Sequence, residues 1–555
     1  MFNDVFYRAS AGGKVNFYNA SLKRKCKSSS TPSVLLIVAA VLVLLFAIAI
    51  TGCEEAKRLN FTYAELANPQ SIDPSLVEES VGMNITNYLY DGLVQNDSET
   101  GEVIPAVAER WEISDGGKVI TFYLRKGVKF TNGREVKAGD FEYGWTRALD
   151  PATKSTTAES ILGVIKGASD LVGGTAKNLV GVEATDDYTL KVTLEFPMAE
   201  FVSYLSHPVA SPLPKEEVEP GDQKFSENPI GNGPYKLKEW RQNEYLVLEK
   251  NNDYYGTKGK LDEITMKVIP SETTAIAELK SGNVDVVKTL PPDQVNALRS
   301  DSSVKVFEGQ VAVLGFAGFN MEQKPWKGSL KLRRALEYGI DRNTIAEKVL
   351  MGTATPADGL VPANVFGHQS DAMSYKYDPE MAKNLLDEAG FPDGSGLPEI
   401  TLTYRTVGSA AKSAEAIQSQ LKDIGVNVKL EALEPGVFLE RMLAGDLSMF
   451  IVSWGGDNLS LDTFLYPLFK SDEPQNVFAY ANAEVDELLD KARSEPDLSE
   501  RMKIYNVAER RILMDAPVIP VVFVQDVMAY SPRVTKFVHT PLGELALNEI
   551  TVSDK

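Results

Sequence analysis

A strand–helix–strand pattern in the last third of the chain places the strongest constraint on its fold. Thr401–Tyr404 and Val426–Glu431 are β-rich, and Ser413–Ile424 between them has apolar residues at helical spacing. Two strands joined through a helix are expected to be parallel, because a parallel connection needs a long crossover. The pattern therefore predicts a parallel or mixed sheet, and similar alternation elsewhere predicts a mixed α/β fold.

The chain is too long for one hydrophobic core. It has 555 residues, whereas single cores stop growing at about 250–300 residues. Hydrophobic residues make up 43% and charged residues 24%, as in soluble globular proteins. We therefore expect two or three lobes, and no low-complexity linker or internal repeat interrupts the sequence.

The charge balance argues against nucleic acid as a partner. The chain has 57 Lys and Arg against 77 Asp and Glu, which gives a formal charge of −20 and a pI of about 4.8. Such a surface repels phosphate backbones. We expect no nucleic-acid partner.

Cysteine and histidine are too few and too scattered for most catalytic or metal sites. The 2 cysteines, Cys26 and Cys53, lie near the N-terminus. The 3 histidines, His207, His368 and His539, have no second ligand at metal-binding spacing. We therefore predict no catalytic residue, metal site or cofactor.

The N-terminal segment has the pattern of an export signal. A basic cluster at residues 23–27 precedes the apolar run Val34–Ile50, and Thr51-Gly52-Cys53 follows. A cysteine after Thr-Gly resembles a bacterial lipobox, which implies cleavage after residue 52 and lipid attachment to Cys53. The alternative is an uncleaved membrane anchor, although the run is short for a bilayer span. Either way, we expect a body outside the cytoplasm, tethered to the cell membrane and facing the cell surface or the periplasm.

One short stretch could bring a carboxylate to the end of a strand. Met449–Trp454 is apolar and β-rich, and Gly455, Gly456 and Asp457 follow. Glycine permits close approach of another backbone. A carboxylate in such a crevice needs a cationic partner, for example the free amino group of a peptide. From these residues alone, an ordinary Gly-Gly-Asp-Asn turn is the alternative interpretation.

Several segments, in order along the body, resemble one protein family. They are SIDPSLVEES (Ser71–Ser80), PAVAERWEISDGGKVITFYLRKGVKFTNGREVKAGDF (Pro105–Phe141), NPIGNGPYKLKEW (Asn228–Trp240), LRRALEYGIDRNTI (Leu332–Ile345), SWGGDNLSLDTFL (Ser453–Leu465) and APVIPVVF (Ala516–Phe523). The family is the bacterial extracellular solute-binding proteins of peptide ABC transporters, which includes the oligopeptide- and dipeptide-binding lipoproteins.

The resemblance implies a two-lobed, periplasmic-binding-protein-like α/β fold that closes on its ligand around a hinge. Lobe I is expected at residues 54–100, 223–319 and 522–555, with a β-rich subdomain inserted at 101–222. Lobe II is expected at 320–521. The chain would cross between the lobes near Phe319-Asn320 and again near Pro517–Val522.

The resemblance also implies how a peptide is bound. The carboxylate at Asp457 would bind the ammonium group of the peptide. Backbone at Ser453, Gly455 and Ser80 would pair with its main chain, and Glu78 lies in the same segment as Ser80. Affinity would then come from groups that every peptide has.

Three further positions bear on the side chains and the far end of the peptide. Trp454 could line a side-chain pocket or pack in the core, whereas Tyr235 is better placed in the core. Some oligopeptide binders carry an arginine three residues before the tryptophan, and here that residue is Ile451. Arg441 matches the arginine pattern only with a shift, so the ligand length stays open.

The resemblance implies a binding protein that delivers oligopeptides to an ABC permease and its ATPase subunits. We expect a monomer with no enzymatic activity. Other members of the fold bind nickel chelates, haem or oligosaccharides, and a ligand sensor is a further alternative. A secreted hydrolase is disfavoured, because H-E-x-x-H, G-x-S-x-G and phosphate-loop motifs are absent from the sequence.

Overall fold

The structure is a computed structural model that describes residues 58–219, 222–372, 375–406 and 408–553. The predicted signal peptide of residues 1–52 and the predicted lipid attachment at Cys53 lie outside these described residues. Within the described ranges, no helix combines the length and the apolar character needed to cross a membrane.

Most strands belong to one large mixed sheet. In chain order the strands are β1 Asn60–Glu65, β2 Val94–Asn96, β3 Val103–Pro105, β4 Ala108–Ser114, β5 Val119–Leu124, β6 Val182–Asp186, β7 Thr189–Thr193, β8 Tyr235–Arg241, β9 Tyr245–Lys250, β10 Glu263–Val268, β11 Val286–Val287, β12 Lys305–Phe319, β13 Ala354–Pro356, β14 Ile400–Arg405, β15 Val428–Leu433, β16 Met449–Gly455, β17 Val518–Tyr530, β18 Val534–Lys536 and β19 Thr551–Val552. The large sheet has the order β15-β14-β16-β12-β17-β11-β1-β10-β9-β8, with β13 beside β17. A separate sheet has the order β4-β5-β7-β6.

Helices connect and cover these strands. The α-helices are Ser80–Leu89, Ala138–Leu149, Ala158–Leu162, Ala168–Val172, Phe201–Tyr204, Lys215–Val218, Asp222–Glu227, Glu272–Lys280, Pro292–Arg299, Leu330–Gly339, Arg342–Thr344, Pro379–Glu388, Ala410–Asp423, Pro435–Leu443, Asp462–Phe469, Ala483–Ser494 and Leu498–Asp515. Short 3₁₀ turns occur at Asp115–Gly117, Pro208–Ala210 and Pro392–Gly394, and Ile345–Val349 is a π-helical turn.

The strand–helix–strand unit predicted from the sequence is confirmed. β14 and β15 are parallel, and the helix Ala410–Asp423 connects them. Another helix, Ser80–Leu89, begins at the end of the Ser71–Ser80 segment that resembles the family. The carboxylate of Glu79 caps this helix by accepting a hydrogen bond from the Gly82 amide at 3.0 Å.

The buried side chains form clusters that follow a two-lobed arrangement. One cluster draws all its buried members from residues 93–210, which include the four-stranded sheet. Two clusters draw their buried members from residues 312–523. Two more combine residues 61–304 with 527–552. The mixed α/β, two-lobed fold is confirmed, and the residue bounds of each lobe stay a prediction.

β12 and β17 are the longest strands and contribute to both lobes. Their pairing runs from Lys305–Tyr530 to Gln310–Gln525 and resumes at Leu314–Phe523. The register shifts between these two stretches, over residues 311–313. This irregularity lies several residues before the predicted crossing at Phe319-Asn320. A shift in register bends and twists a strand pair locally.

Two arginines of the LRRALEYGIDRNTI segment hold the start of β17. Arg333 Nε donates to the Ala516 carbonyl at 2.9 Å, and Arg342 Nε donates to the Pro520 carbonyl at 2.6 Å. Arg342 also pairs with the fully buried Glu337. The segment that resembles the family therefore anchors the strand that both lobes share.

The Ser-Ile-Asp-Pro segment contributes a buried ion pair to the helix Ala138–Leu149. Asp73 is fully buried, and its carboxylate accepts two hydrogen bonds from Arg147, at 3.0 and 2.7 Å. Asp73 also accepts from the Ser75 amide at 3.0 Å. A carboxylate so deeply buried depends on its partner for compensation.

We expect Arg147→Met to destabilise the fold by about 3–5 kcal/mol, because it leaves the Asp73 carboxylate buried without its cation. Urea unfolding followed by circular dichroism measures this change. Arg510→Met is the matched control, since the Arg510–Asp371 pair is exposed and should cost less than about 1 kcal/mol. Equal midpoints for the two variants would contradict the prediction.

Candidate functional site

β16 has one paired edge and one largely open edge. β12 pairs with it along its whole length, from Phe319–Met449 to Val313–Gly455. On the other side, β14 pairs with it only at Met449 and Phe450. Among the residues that the structure describes, the last five residues of β16 therefore have no strand partner on that side.

The register decides which backbone groups face this open edge. The Gly456 amide donates to the Ala312 carbonyl at 2.9 Å, whereas the Ala312 amide donates to the Pro541 carbonyl at 3.2 Å. The Gly456 bond marks this position as the hydrogen-bonded type of pair in the ladder. Such pairs alternate with non-hydrogen-bonded pairs in an antiparallel ladder. The N–H and C=O groups of Ser453 and Gly455 consequently point away from β12. They are free to pair with an extended chain laid along the edge.

The loop after β16 is held close to the following helix by Thr463. The Asp457 amide donates to Thr463 Oγ1 at 3.1 Å, and Trp454 Nε1 donates to the Thr463 carbonyl at 2.7 Å. A Cβ at Gly456 would lie 2.7 Å from a ring carbon of Phe464, so only glycine fits there. These contacts fix the position of Asp457 relative to the open edge.

The carboxylate of Asp457 has no partner among the described residues. It reaches solvent, yet the surrounding protein atoms disfavour its charged form, and this desolvation raises its pKa to about 6. No nearby cation offsets the shift. The group is therefore placed to gain from a positively charged ligand.

Ser203 and Tyr204 contact the loop that follows Asp457. Asn458 Nδ2 donates to Ser203 Oγ at 3.2 Å, and the Tyr204 hydroxyl donates to Asp462 Oδ2 at 2.8 Å. Ser203 and Tyr204 lie in or beside the cluster of residues 93–210, whereas Leu459 and Leu461 of the loop belong to a different cluster. Hydrogen bonds therefore join two separate cores at this point.

Asp462 is the centre of that contact. It is fully buried and accepts two hydrogen bonds from Arg493, at 2.8 and 3.0 Å, and one from the Tyr505 hydroxyl at 2.5 Å. Burial opposes its ionisation, but the Arg493 charge and the hydrogen bonds outweigh burial, so the pKa of Asp462 lies below its ordinary value. Unlike Asp457, this carboxylate is fully compensated.

Comparison with known proteins identifies the family. Residues 102–476 match the family described as bacterial extracellular solute-binding proteins, family 5 Middle. The chain belongs to this family. Members of this family are named as solute-binding proteins that act outside the cytoplasm, and not as enzymes.

Individual members of the family differ in their named ligands. The chain is 34% identical to the probable deoxycholate-binding periplasmic protein YgiS of Escherichia coli, over 89% of this chain and 93% of that protein. It is 32% identical to the dipeptide-binding protein DppE of Bacillus subtilis, over 86% and 89%. The structure of the Helicobacter pylori binding protein DppA in complex with the peptide STSA matches with a TM-score of 0.76 and 28% identity, over 90% of this chain and all of that one.

The structure brings together some of the predicted ligand-binding residues of this family member. Ser453, Trp454, Gly455 and Asp457 share one strand end and loop. Glu78 and Ser80 are exposed at the start of the helix Ser80–Leu89, and no hydrogen bond or ion pair links them to the Asp457 loop in the described ranges.

The two aromatic residues are placed differently. Trp454 packs at the edge of a lobe II cluster, and its indole N–H is occupied by Thr463. Tyr235 is fully buried in a lobe I cluster, as the sequence analysis favoured. Only Trp454 is therefore near the open edge.

The sequence analysis did not single out Arg405, an arginine at the end of β14. Arg441 pairs with Glu431 at 3.0 Å, and Ile451 is buried in a lobe II cluster. Arg405 ends β14 at the same sheet edge as the end of β16, and it forms no ion pair in the described part of the chain. Only the sheet topology reveals that its position is next to the open edge.

Tyr204→Phe should loosen the Asp457 loop. Losing a hydrogen bond to a charged group costs about 1.5 kcal/mol, which corresponds to roughly tenfold faster amide exchange in a locally opening segment. Hydrogen–deuterium exchange of residues 455–463 and 199–206 measures this effect. Tyr505→Phe is the control, because Tyr505 donates to the same carboxylate from within lobe II. Identical exchange in both segments for the two variants would contradict the prediction.

Proposed function

We propose that this protein captures short peptides outside the cytoplasm and delivers them to an ABC importer, without chemistry of its own. The observation that carries the proposal is the open edge of β16, which ends beside the unpaired carboxylate of Asp457. An extended main chain matches the open edge, and a free amino group matches the carboxylate. A peptide supplies the extended main chain and the amino group together.

The open edge suits main-chain recognition. Ser453 and Gly455 offer backbone donors and acceptors away from β12, and a Cβ added at Gly455 would contact only Val313, at 3.6 Å. A peptide strand laid there would extend the sheet by β-augmentation. Such pairing is indifferent to side chains, which suits a carrier of varied peptides.

The remaining elements of the proposal come from the family and the sequence. Glu78 and Ser80 would line the opposite wall of the site, on lobe I. The lobes would have the predicted bounds, with residues 101–222 as the insertion, and would close on the peptide. Cys53 would carry the lipid that tethers the monomer to the membrane beside its permease and ATPase partners. The names of the dipeptide- and STSA-binding relatives support this proposal.

A second candidate ligand is a bile acid such as deoxycholate, because one relative is named for it. Deoxycholate carries a carboxylate and no amino group. The unpaired Asp457 carboxylate would repel it at neutral pH. The site therefore favours the peptide.

Asp457→Asn should weaken the binding of Ala-Ala-Ala by about 1.5–3 kcal/mol, because the ammonium group loses a charge-assisted hydrogen bond. Isothermal titration calorimetry measures this loss. N-acetyl-Ala-Ala-Ala should bind poorly to the parent protein and equally poorly to the variant. Asp446→Asn is the control and should bind like the parent, because Asp446 is exposed and precedes the first residue of β16.

The same titrations test the other end of the peptide and the second candidate. Arg405→Gln should remove any preference for a free over an amidated C-terminus. Retained binding of the acetylated peptide, or deoxycholate binding that Asp457→Asn strengthens, would contradict the peptide proposal.

Peptide affinity should fall in acid. The pKa of Asp457 is raised to about 6, so its carboxylate is charged above that pH and attracts the ammonium group. Below pH 6 the empty site is protonated, and affinity should drop by up to about tenfold per pH unit until the pKa of the bound state is reached. Titrations of Ala-Ala-Ala at pH 7.5, 6 and 5 test this. The same pH profile in Asp457→Asn would refute the assignment.

A further inference from the structure

A second concave site lies beside the Asp457 loop. It is a cavity of about 710 Å³, lined by residues within 87–106, 254–257 and 540–549 together with Arg125 and Ser206. Asp457 does not line it. Its size is in the range of cavities that enclose small ligands.

The charged residues of the lining are mostly acidic. Asp91, Asp97, Glu544 and Glu549 line the cavity, and Arg125 is the basic lining residue. Arg125 Nε is engaged by the Ala106 carbonyl at 2.8 Å. Glu549 pairs with Lys536 at 2.8 Å. Asp91, Asp97 and Glu544 still outnumber Arg125, so the lining favours a cation.

The carboxylate of Asp91 is held by a neutral hydrogen-bond donor, the Tyr254 hydroxyl. Asp91 is 6% exposed, and it accepts a hydrogen bond from the Tyr254 hydroxyl at 2.8 Å. Burial raises its pKa to about 6 despite the tyrosine hydrogen bonds. A buried carboxylate without an adjacent cation gains from one that enters.

Glu544 is a second lining carboxylate that is held by a neutral hydrogen-bond donor. Asn87 Nδ2 donates to its carboxylate at 2.6 Å. Burial raises the pKa of Glu544 to about 7, although the field of Lys288 lowers it. Lys288 itself pairs with Glu65 at 2.7 Å, so it does not neutralise Glu544 directly.

Aromatic rings complete the lining. The rings of Tyr254 and Tyr255 are 4.9 Å apart at an interplanar angle of 58°, and both residues line the cavity. Tyrosine faces attract ammonium and guanidinium groups. They also cover the aliphatic stem that carries such a group.

The cavity shares a wall with the loop that bears Asp457. Gly101 lines the cavity, and a Cβ added there would lie 2.2 Å from Leu459 Cδ1. Ser206 lines it as well, three residues from the Ser203 hydroxyl that accepts from Asn458. The loop that carries Asp457 therefore borders the cavity at Leu459.

We propose that the cavity receives a basic side chain, an ammonium or guanidinium group on an aliphatic stem, from the peptide captured at Asp457. This inference rests on the proposed function and adds to it a preference for peptides with a lysine or arginine residue. The two carboxylates supply the attraction, and the tyrosine rings supply the apolar contact. A neutral side chain of equal length gains only the apolar contact with the tyrosine rings.

Calorimetric titration of tripeptides tests the proposal. The probes are Ala-Ala-Ala, the three tripeptides with one lysine at each position, and their norleucine counterparts. One lysine peptide should bind about tenfold more tightly than its norleucine counterpart, as expected for about 1.4 kcal/mol. Glu544→Gln should reduce that ratio to about twofold or less and leave Ala-Ala-Ala binding unchanged, which also shows that the variant is folded.

Two further variants make the outcome decisive. Asp91→Asn removes the other carboxylate and should also reduce the ratio. Asp253→Asn removes an exposed carboxylate outside the cavity, next to Tyr254, and should not change it. Lysine and norleucine peptides of equal affinity would overturn this inference alone, since Ala-Ala-Ala would still bind. Failure of every tripeptide to bind would overturn the proposed function with it.

Discussion

The pairing of β12 with β17 is the constraint on which the rest of the structure depends. These two strands carry residues of the lobe I clusters at one end and of the lobe II clusters at the other. Arg333 and Arg342 hold the start of β17, and β16 lies on the other side of β12. The position of the open edge is therefore set by the strands that join the lobes. A shift in their register over residues 311–313 would reposition the site as well.

The carboxylates of the fold and of the candidate sites fall into two physical groups. Asp73 and Asp462 each have an arginine in bidentate contact, so their charge is compensated and they connect separate parts of the fold. Asp457, Asp91 and Glu544 lack such a contact, and burial raises their pKa values. Removing the arginine partner of Asp73 or of Asp462 lowers the stability of the fold. The second group has electrostatic free energy that a cationic ligand can recover.

The sequence analysis predicted features that are local in the chain and missed those that depend on tertiary pairing. The β14–helix–β15 unit and the strand that leads to Asp457 follow from periodicity and from Gly455-Gly456, so they could be found. Arg405 could not, because its proximity to β16 depends on β14 pairing with two residues of a strand far along the chain. The contact of Tyr204 with Asp462 joins residues 258 positions apart, and no local pattern predicts it.

The alternation of β16 has a consequence for how much of a ligand the protein can hold. Beyond the last pair with β14, Ser453 and Gly455 turn their backbone groups outward, and residues two apart on a strand span about 7 Å. The edge thus has room for main-chain bonds to only a few consecutive ligand residues. Additional residues would add volume without adding ladder bonds. Extra ligand residues therefore add little binding free energy through main-chain hydrogen bonds to β16. Any preference for longer chains has to arise from side chains and from the opposite wall of the site.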